Sequence, residues 1–181
     1  LTHNGYIKRL PTVEYRAQGR GGKGVKAMAT REEDYVETVF TASTHDSILF
    51  FTNLGKVYVR KGYRIPEAGR SARGQNIVNI IPTDPGEKVS AMIAGRGVTE
   101  DNYLVFVTRN GTVKRTAQSA FKNIRSNGIR ALSLDEGDEL ISVLQTTGED
   151  KILLATHDGM AICFAETDAR AMGRDAVGVR G

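Results

Sequence analysis

The sequence predicts an all-β protein assembled from repeated units, and three observations support this. Apolar pieces of strand length, such as residues 47–51 and 103–107, are rich in β-branched and aromatic side chains, whereas helical periodicity is weak throughout. Four Thr-x-x-Gly copies recur in register, with their glycine at positions 5, 55, 111 and 159, and a second glycine follows each of them at positions 24, 74, 128 and 178. The resulting period, near 50 residues, is typical of a repeat architecture.

Each Thr-x-x-Gly copy is predicted to form the turn of a β-hairpin. A short strand-like piece follows every copy, at residues 6–10, 56–60, 112–116 and 160–164, and three copies also have an apolar run directly upstream. An acidic turn and a further strand come next, at residues 84–93 and 135–144, with residues 32–40 as a looser copy. Four strands per unit follow from this order. We expect helix only as a single turn within residues 117–124.

Four-stranded sheets that repeat along a chain are predicted to stack radially as the blades of a propeller, since this arrangement protects strand edges. Phased on the acidic turns, the chain holds a half blade at residues 1–31 and blades at residues 32–83, 84–134 and 135–181. Propellers typically have ~4 to 8 blades. Residues 1–181 are therefore expected to be part of one larger domain that forms an open arc, with a closed small ring as the rival interpretation.

Several kinds of function are disfavoured by composition. No apolar stretch reaches the ~18 residues of a membrane span, and the start shows no signal-peptide pattern. The single cysteine, Cys163, excludes an internal disulfide and fits a reducing cytosol, so a cytoplasmic location is expected. The three histidines and this cysteine lack ligand spacing, so we expect no metal site. No catalytic arrangement recurs with the repeat, which makes an independent enzyme the weakest alternative.

Charge follows the repeat. Residues 5–26, 55–76, 111–130 and 159–180 together hold 20 of the 25 Lys and Arg but only 5 of the 21 Asp and Glu. Their net charge is +15, against −11 for the rest of the chain. Solvation of exposed loops does not predict this separation of signs, whereas a basic rim that binds an extended polyanion does. The predicted rim residues are Lys8, Arg9, Arg16, Lys26, Arg60, Lys61, Arg64, Arg70, Arg73, Lys114, Arg115, Lys122, Arg125, Arg130 and Arg174.

Within the glycine-rich stretch at residues 18–24, the string from Gly19 to Gly24 matches G-x-G-x-x-G only as text. A dinucleotide fingerprint needs a βαβ unit, and a P-loop needs Ser or Thr after its lysine. Aligned on the second glycine of the repeat, Arg20 falls opposite Arg70, and Lys23 falls opposite Arg73. The stretch is therefore interpreted as an elaborated copy of a repeated loop. Its glycines let the backbone approach a phosphate, and its cations contact phosphates without reading sequence.

This stretch resembles the gyrase A box, a motif of the C-terminal domain of the DNA gyrase A subunit written Gln, basic, Arg, Gly, Gly, basic, Gly. Gly19 stands where the family usually has Arg or Lys, which removes one charge. Residues 72–82, 110–116, 136–143 and 170–181 are also similar to that domain and fall in the family's order, so the resemblance spans essentially the whole chain. The box positions are Gln18, Gly19, Arg20, Gly21, Gly22, Lys23 and Gly24.

The resemblance implies a β-pinwheel, usually of six blades, that bends double-stranded DNA around its edge in a type II topoisomerase, supporting ATP-dependent negative supercoiling. It implies, as further partners, the gyrase B subunit together with the remainder of the gyrase A subunit. The catalytic tyrosine and the ATP and Mg²⁺ sites would lie outside this chain, so no catalytic residue, cofactor or metal is assigned to it. Packing or rim positions are expected for Tyr6, Tyr15, Tyr35, Tyr58, Tyr63 and Tyr103.

Two alternatives remain beside this interpretation. The first is a propeller that binds protein, with the acidic turns Asp84–Glu87 and Asp135–Glu139 as its recognition surface. The second is the corresponding C-terminal domain of topoisomerase IV, although that family generally lacks an intact box.

Overall fold

The chain folds almost entirely as short strands and turns. A computed structural model describes residues 1–15, 17–24, 26–95 and 102–181. The predicted all-β class is confirmed. The strands are β1 Tyr6–Ile7, β2 Ser47–Thr52, β3 Lys56–Lys61, β4 Gln75–Asn76, β5 Val89–Gly95, β6 Tyr103–Thr108, β7 Thr112–Ala117, β8 Ile129–Arg130, β9 Leu140–Thr146, β10 Lys151–Ala155, β11 Ala161–Ala165 and β12 Val179–Arg180.

Helix is confined to single 3-10 turns in the part of the chain that the structure describes. The turn predicted within residues 117–124 is one of them, at Gln118–Phe121. No helix in the described residues is long and apolar enough to cross a membrane. The other 3-10 turns are Thr12–Glu14, Gly62–Arg64, Ile77–Asn79 and Glu166–Asp168.

The four Thr-x-x-Gly copies form the same turn, and the threonine explains its recurrence. In each copy the glycine N–H donates to the threonine carbonyl oxygen at 3.0–3.1 Å. The threonine hydroxyl accepts from the N–H of the residue after the glycine at 3.0–3.3 Å. Threonine and serine hydroxyl groups often accept hydrogen bonds from nearby backbone N–H groups and so favour turns. The three predicted hairpins with upstream strands are confirmed as β2–β3, β6–β7 and β10–β11.

The chain divides into two compact units. The first comprises Leu1–Ser47 and Arg60–Thr83, and the second comprises Ile48–Val59 and Asp84–Gly181. In the first unit, β1 pairs antiparallel with β4, so that Tyr6 lies opposite Asn76 and Ile7 opposite Gln75. The buried apolar side chains of this unit are Leu1, Ile7, Met28, Ile65, Ile77 and Ile81.

The second unit contains the larger sheets. One has the strand order β5-β2-β3-β8, and the other has the order β9-β6-β7-β12. Phe51, Phe106 and Phe121 pack at the centre of its core, with ring centroids 5.5–6.0 Å apart. Such aromatic contacts add about 0.5–1.5 kcal/mol each to the burial of apolar area. Leu49, Val57, Ile93, Leu104, Ala131, Leu132, Leu140 and Val143 complete the cluster.

In each four-stranded sheet, the last strand comes from the following repeat of the sequence. β8 follows the second glycine of the third repeat but pairs with β3 of the second, and β12 pairs in the same way with β7. β4 and β1 repeat this relationship in the first unit. The predicted blade boundaries after residues 83 and 134 therefore cut through the two sheets, because strands that share a sheet are not contiguous in sequence.

Candidate nucleic-acid interface

The loop of residues 18–24 is closed by its own glutamine. Gln18 Oε1 accepts a hydrogen bond from the Gly24 N–H at 3.0 Å, across the loop. Within the loop, the Gly22 N–H donates to the Gly19 carbonyl oxygen at 3.2 Å. A Cβ at Gly22 would lie 2.5 Å from Gln18 Oε1, so only glycine fits there while the glutamine keeps its bond. The motif thus encodes a compact loop closed by a side chain.

The same loop presents two cations to solvent. Arg20 and Lys23 are exposed, as are all of residues 17–24. Their side chains form neither a hydrogen bond nor an ion pair with any residue that the structure describes. Cations with unused donors, held beside exposed glycine backbone, suit contact with an anion such as a phosphate.

The equivalent loop in the next repeat, residues 68–74, contains the same turn, but a lysine from another segment holds it in place of the glutamine. The Ala72 N–H donates to the Gly69 carbonyl oxygen at 3.0 Å, as Gly22 does to Gly19. Lys8, one residue beyond β1, reaches this loop, and its Nζ donates to three carbonyl oxygens between residues 69 and 72. Arg70 and Arg73 are exposed on it. The sequence alignment of the two loops is therefore matched by their geometry.

A pair of arginines flanks Tyr6. The Arg31 guanidinium lies 5.6 Å from the centroid of the Tyr6 ring, and that of Arg73 lies 5.5 Å from it. Contacts of this kind are worth roughly 0.5–1 kcal/mol at exposed sites. Sequence reasoning missed Arg31, because it lies just outside the basic segments, and no local signal relates it to Tyr6. The structure adds it to the candidate interface of the first unit.

Three further predicted rim cations of the first unit are exposed: Lys26, Lys61 and Arg64. Lys61 Nζ donates to the His45 carbonyl oxygen at 3.2 Å, and the Arg64 guanidinium lies 5.9 Å from the centroid of the Tyr63 ring. Arg16 lies outside the described residues.

Arg9 and Arg60 are half-buried and engaged within the first unit. Arg9 forms an ion pair with Glu67, and its Nε donates to the Ile65 carbonyl oxygen at 2.8 Å. Arg60 Nε donates to the Ile80 carbonyl oxygen at 2.8 Å. These two predicted rim residues support the backbone as well as carrying charge.

In the second unit, three cations from distant segments line one open cleft. Lys122 and Arg125 come from the loop before β8, and Arg174 comes from the loop before β12. Lys122, Arg125 and the neighbouring Arg130 are exposed, whereas Arg174 is half-buried. The cleft is lined by Lys122, Asn123, Ile124, Arg125, Ile129 and Arg174. A cleft with three cations and no carboxylate among these lining residues suits an anion.

Lys114 was predicted on the rim, but the structure buries it completely. Its Nζ donates to the Ala131 and Arg174 carbonyl oxygens at 2.8 and 2.6 Å and lies 5.6 Å from the centroid of the Phe106 ring. Burial lowers the pKa of Lys114 to about 8, with Asp175 opposing the shift and Arg174 adding to it. An ammonium group without solvent access cannot reach a phosphate, so its place on the rim is a wrong prediction.

Arg115 is a second correction, since it is 8% exposed. Its guanidinium lies 4.5 Å from the Tyr103 ring centroid, and its Nη1 lies 3.5 Å from Oε2 of Glu166, which is fully buried. Glu166 also accepts the Thr146 hydroxyl at 2.7 Å. This buried ion pair belongs to the core of the second unit and not to a surface.

The acidic turns also direct carboxylates inward. Glu87 is buried and accepts the hydroxyl groups of Thr52 and Tyr58. Burial, followed by this carboxylate, raises the pKa of Tyr58 to about 12. Asp138 is also buried; burial opposes its ionisation, but hydrogen bonds from Thr108 and backbone N–H groups hold its pKa below the ordinary value. One acid of each turn is therefore structural, which weakens the alternative of an acidic recognition surface.

Comparison with known proteins agrees with this geometry. The family model described as DNA gyrase C-terminal domain, beta-propeller, matches residues 1–43, 46–95, 102–147 and 150–181, one segment for each repeat. The gyrase A protein of Clostridium acetobutylicum is 49% identical over 181 residues, which is all of this chain and 22% of that protein. The chain thus spans about a fifth of the length of that relative.

Solved structures are similar over the whole chain. The C-terminal domain of a DNA topoisomerase IV superimposes with a TM-score of 0.83 at 31% identity, and the chain covers 55% of it. A DNA gyrase A C-terminal domain superimposes with a TM-score of 0.78 at 29% identity, and the chain covers 58% of it. With a family model matched in all four repeats, the chain belongs to the family of DNA gyrase C-terminal domains with a β-propeller fold.

Proposed function

We propose that this chain binds and bends double-stranded DNA as the C-terminal part of a gyrase A subunit. On this proposal its partners are DNA, the gyrase B subunit, and the remainder of the gyrase A subunit, in the bacterial cytoplasm. Its role is to hold DNA so that the whole type II topoisomerase can supercoil it negatively with ATP. Cleavage of DNA and the use of ATP and Mg²⁺ are assigned to parts of the enzyme outside these residues.

The observation that carries the proposal is a set of exposed cations without acidic partners. Ten of the predicted box and rim cations are exposed, and none of the ten forms an ion pair within the described part of the chain. Carboxylates instead engage cations such as Arg9, Lys56, Arg109 and Arg115. The ten are Arg20, Lys23, Lys26, Lys61, Arg64, Arg70, Arg73, Lys122, Arg125 and Arg130.

Exposed cations would have to offset the free-energy cost of bending the duplex. Bending 20–30 base pairs by 40–90° costs on the order of 1–6 kcal/mol. Lys and Arg side chains that neutralise phosphates offset this cost by releasing counterions, and they do so without reading base sequence. We therefore expect binding that depends strongly on salt and little on the sequence of the duplex.

A salt titration with a random-sequence duplex tests the proposal. If about ten cations each neutralise one phosphate, log K should fall with log salt with a slope near −9, at ~0.9 per contact. A slope shallower than about −3, or the absence of a mobility shift, would contradict the proposal.

The box loop is tested by paired variants in two measurements, the binding of a duplex and the wrapping of circular DNA. Arg20→Ala/Lys23→Ala removes two box cations, and Lys88→Ala/Lys151→Ala removes two exposed lysines from outside the basic segments. The first pair should reduce the linking-number change that is trapped when nicked circles are sealed by DNA ligase with the chain bound, more than it reduces simple binding. The second pair should change neither measurement appreciably. Equal loss of wrapping and binding in the first pair would make the box an ordinary contact.

The similarity to a topoisomerase IV domain, with a TM-score of 0.83, makes the C-terminal domain of topoisomerase IV the second candidate. The closed loop of residues 18–24 supports gyrase instead, because its sequence matches the gyrase A box at six of seven positions, with Gly19 as the departure. A chain that shifts duplex DNA but does not change the linking number at which nicked circles are sealed by DNA ligase would favour the second candidate.

A further inference from the structure

Two lysines occupy the same place in different repeats, three residues after the turn glycine. Lys8 follows Gly5, and Lys114 follows Gly111. From the sequence they are indistinguishable from the other basic rim residues. In the structure both ammonium groups bind carbonyl oxygens of the loop that precedes the second glycine of the following repeat.

Lys8 uses its full donor capacity on this loop. Its Nζ lies 2.8 Å from the Gly69 carbonyl oxygen, 3.0 Å from that of Arg70 and 2.9 Å from that of Ala72. An ammonium group has three N–H donors and no acceptor. Three carbonyl oxygens therefore occupy all of its protons, and Lys8 is poorly suited to contact a phosphate directly while these bonds persist.

Lys114 makes the corresponding contact in the second unit. Its Nζ donates to the carbonyl oxygen of Arg174, the residue that aligns with Arg70, at 2.6 Å. It also donates to the Ala131 carbonyl oxygen at 2.8 Å. Burial of a lysine is unfavourable unless its charge is compensated, and here backbone carbonyls supply part of the compensation.

The second and fourth hairpins lack this lysine, with Tyr58 and Ile162 in its place, and the loop that contacts the second hairpin has a different form. Tyr58 stands at the same position in the second repeat, and a Cβ added to Gly128 would lie 2.7 Å from its ring. In the two loops that bind a lysine, the turn is closed between Gly69 and Ala72 and between residues 173 and 176. In the loop beside Tyr58 it is closed between Arg125 and Gly128, two residues later in the alignment. Where a lysine binds the loop, the turn bond therefore lies two residues earlier in the alignment than in the loop beside Tyr58.

We propose that Lys8 and Lys114 are positioning residues that hold the cation-bearing loops of the following repeats in the form that presents Arg70, Arg73 and Arg174 to a phosphate backbone. This inference rests on the proposed DNA-binding function and names residues that act on DNA through others. Lys8 and Lys114 contribute by ordering carbonyl groups, and the arginines supply the contact. The loop of residues 18–24 reaches the same turn through Gln18.

Limited proteolysis tests the positioning step without DNA. Trypsin cleaves after Arg70 and Arg73 only when the loop can open, so Lys8→Met should raise the cleavage rate at both sites about tenfold. Lys88→Met removes an equal charge from an exposed residue outside the predicted rim and should leave these sites unchanged. Lys8→Arg keeps the charge, but a planar guanidinium cannot aim three donors as an ammonium does, so its cleavage rate should lie between those of the wild type and Lys8→Met.

Unchanged cleavage after Arg70 and Arg73 in Lys8→Met would overturn the proposal. The far-UV circular dichroism of every variant should match the wild type, so that faster cleavage reports the loop and not global unfolding. Lys114→Met, followed by cleavage after Arg174, repeats the test in the second unit.

Duplex binding then separates positioning from direct contact. Lys8→Met should weaken binding in the wild-type background, by about threefold, and have no further effect in Arg70→Ala/Arg73→Ala. An equal loss in both backgrounds would identify Lys8 as a phosphate contact, and no loss in either would show that the loop does not contribute; each result overturns the proposal. If the wild-type chain binds no duplex, the proposed function fails, whereas the proteolysis result still decides whether Lys8 holds the loop.

Discussion

The hairpins at Gly5 and Gly111 carry the same Lys-Arg pair in two different environments. In the first hairpin, Lys8 and Arg9 are half-buried, and Arg9 pairs with Glu67, which is exposed. In the second, Lys114 is fully buried, and Arg115 pairs with a carboxylate that is itself fully buried. The comparison teaches that the repeat brings both lysines to the loop of the following repeat, whereas the arginines find acidic partners at different repeat positions. The depth of burial decides whether the pair also carries surface charge.

The largest expected effect separates the two arginines. Arg115→Met leaves the buried Glu166 without its partner cation and should lower the free energy of unfolding by about 3–5 kcal/mol, as is typical when one member of a buried pair is removed. Arg9→Met should cost about 1 kcal/mol or less, because the partly exposed pair is screened by solvent. Urea denaturation followed by far-UV circular dichroism measures both. Similar losses would break the comparison.

Lys114 and Lys8 should differ in how much each makes the free energy of unfolding depend on pH. The pKa of Lys114 in the folded chain is about 8, below its ordinary value of 10.5, because of burial. Between these two values the unfolded chain binds more protons, so the stability of the wild type relative to Lys114→Met should rise from pH 8 to pH 10.5. The total rise should be on the order of 3 kcal/mol, at about 1.4 kcal/mol per pKa unit.

The corresponding Lys8→Met comparison provides the contrast. Burial also lowers the pKa of Lys8, so its contribution has the same sign, but its half-exposed side chain should give a smaller rise. Denaturation at a series of pH values for the wild type and both variants measures the differences. A flat profile for Lys114→Met relative to the wild type would mean that the ammonium group is solvated.

The smallest expected effect concerns what the two hairpins share. Gly74 has φ +86°, and a Cβ there would lie 2.3 Å from the Ile7 carbonyl oxygen, where β1 pairs with β4. Gly178 has φ +125°, and its Cβ would lie 2.6 Å from the Val113 carbonyl oxygen beside β7. Each Gly→Ala change should destabilise by about 2 kcal/mol or more, from backbone strain and the clash.

Gly69→Ala is the control for this pair, because a Cβ at Gly69 meets nothing within 4 Å. Urea denaturation should show little change for it. The losses of unfolding free energy in Gly74→Ala and Gly178→Ala should be similar. If they differ as much as those of the two arginine variants, the β1–β4 and β7–β12 pairings are not equivalent.

The turns could be predicted from sequence because their causes are local. Thr-x-x-Gly contains both the hydroxyl group and the flexible residue that the turn needs, and the four copies that recur with the repeat form four turns. The copy at Thr83–Gly86 lies outside the repeat, and there the turn bond runs from the Glu87 N–H to the Asp84 carbonyl oxygen. Whether the Lys-Arg pairs are buried or exposed could not be predicted in this way. Burial of Arg115 depends on Glu166, which is distant in sequence, and the contact of Arg31 with Tyr6 exists only in the fold.

The pairing of β8 with β3, a strand of the preceding repeat, has a consequence for synthesis on the ribosome. The sheet begun at Ser47 receives its last strand only at Ile129–Arg130. A nascent chain that has emerged with β2 and β3 therefore carries an unpaired strand edge until that later segment arrives, and such edges invite pairing with other chains. Long-range closure of this kind is slow compared with hairpin formation, so we expect co-translational folding to proceed with a lag of one repeat.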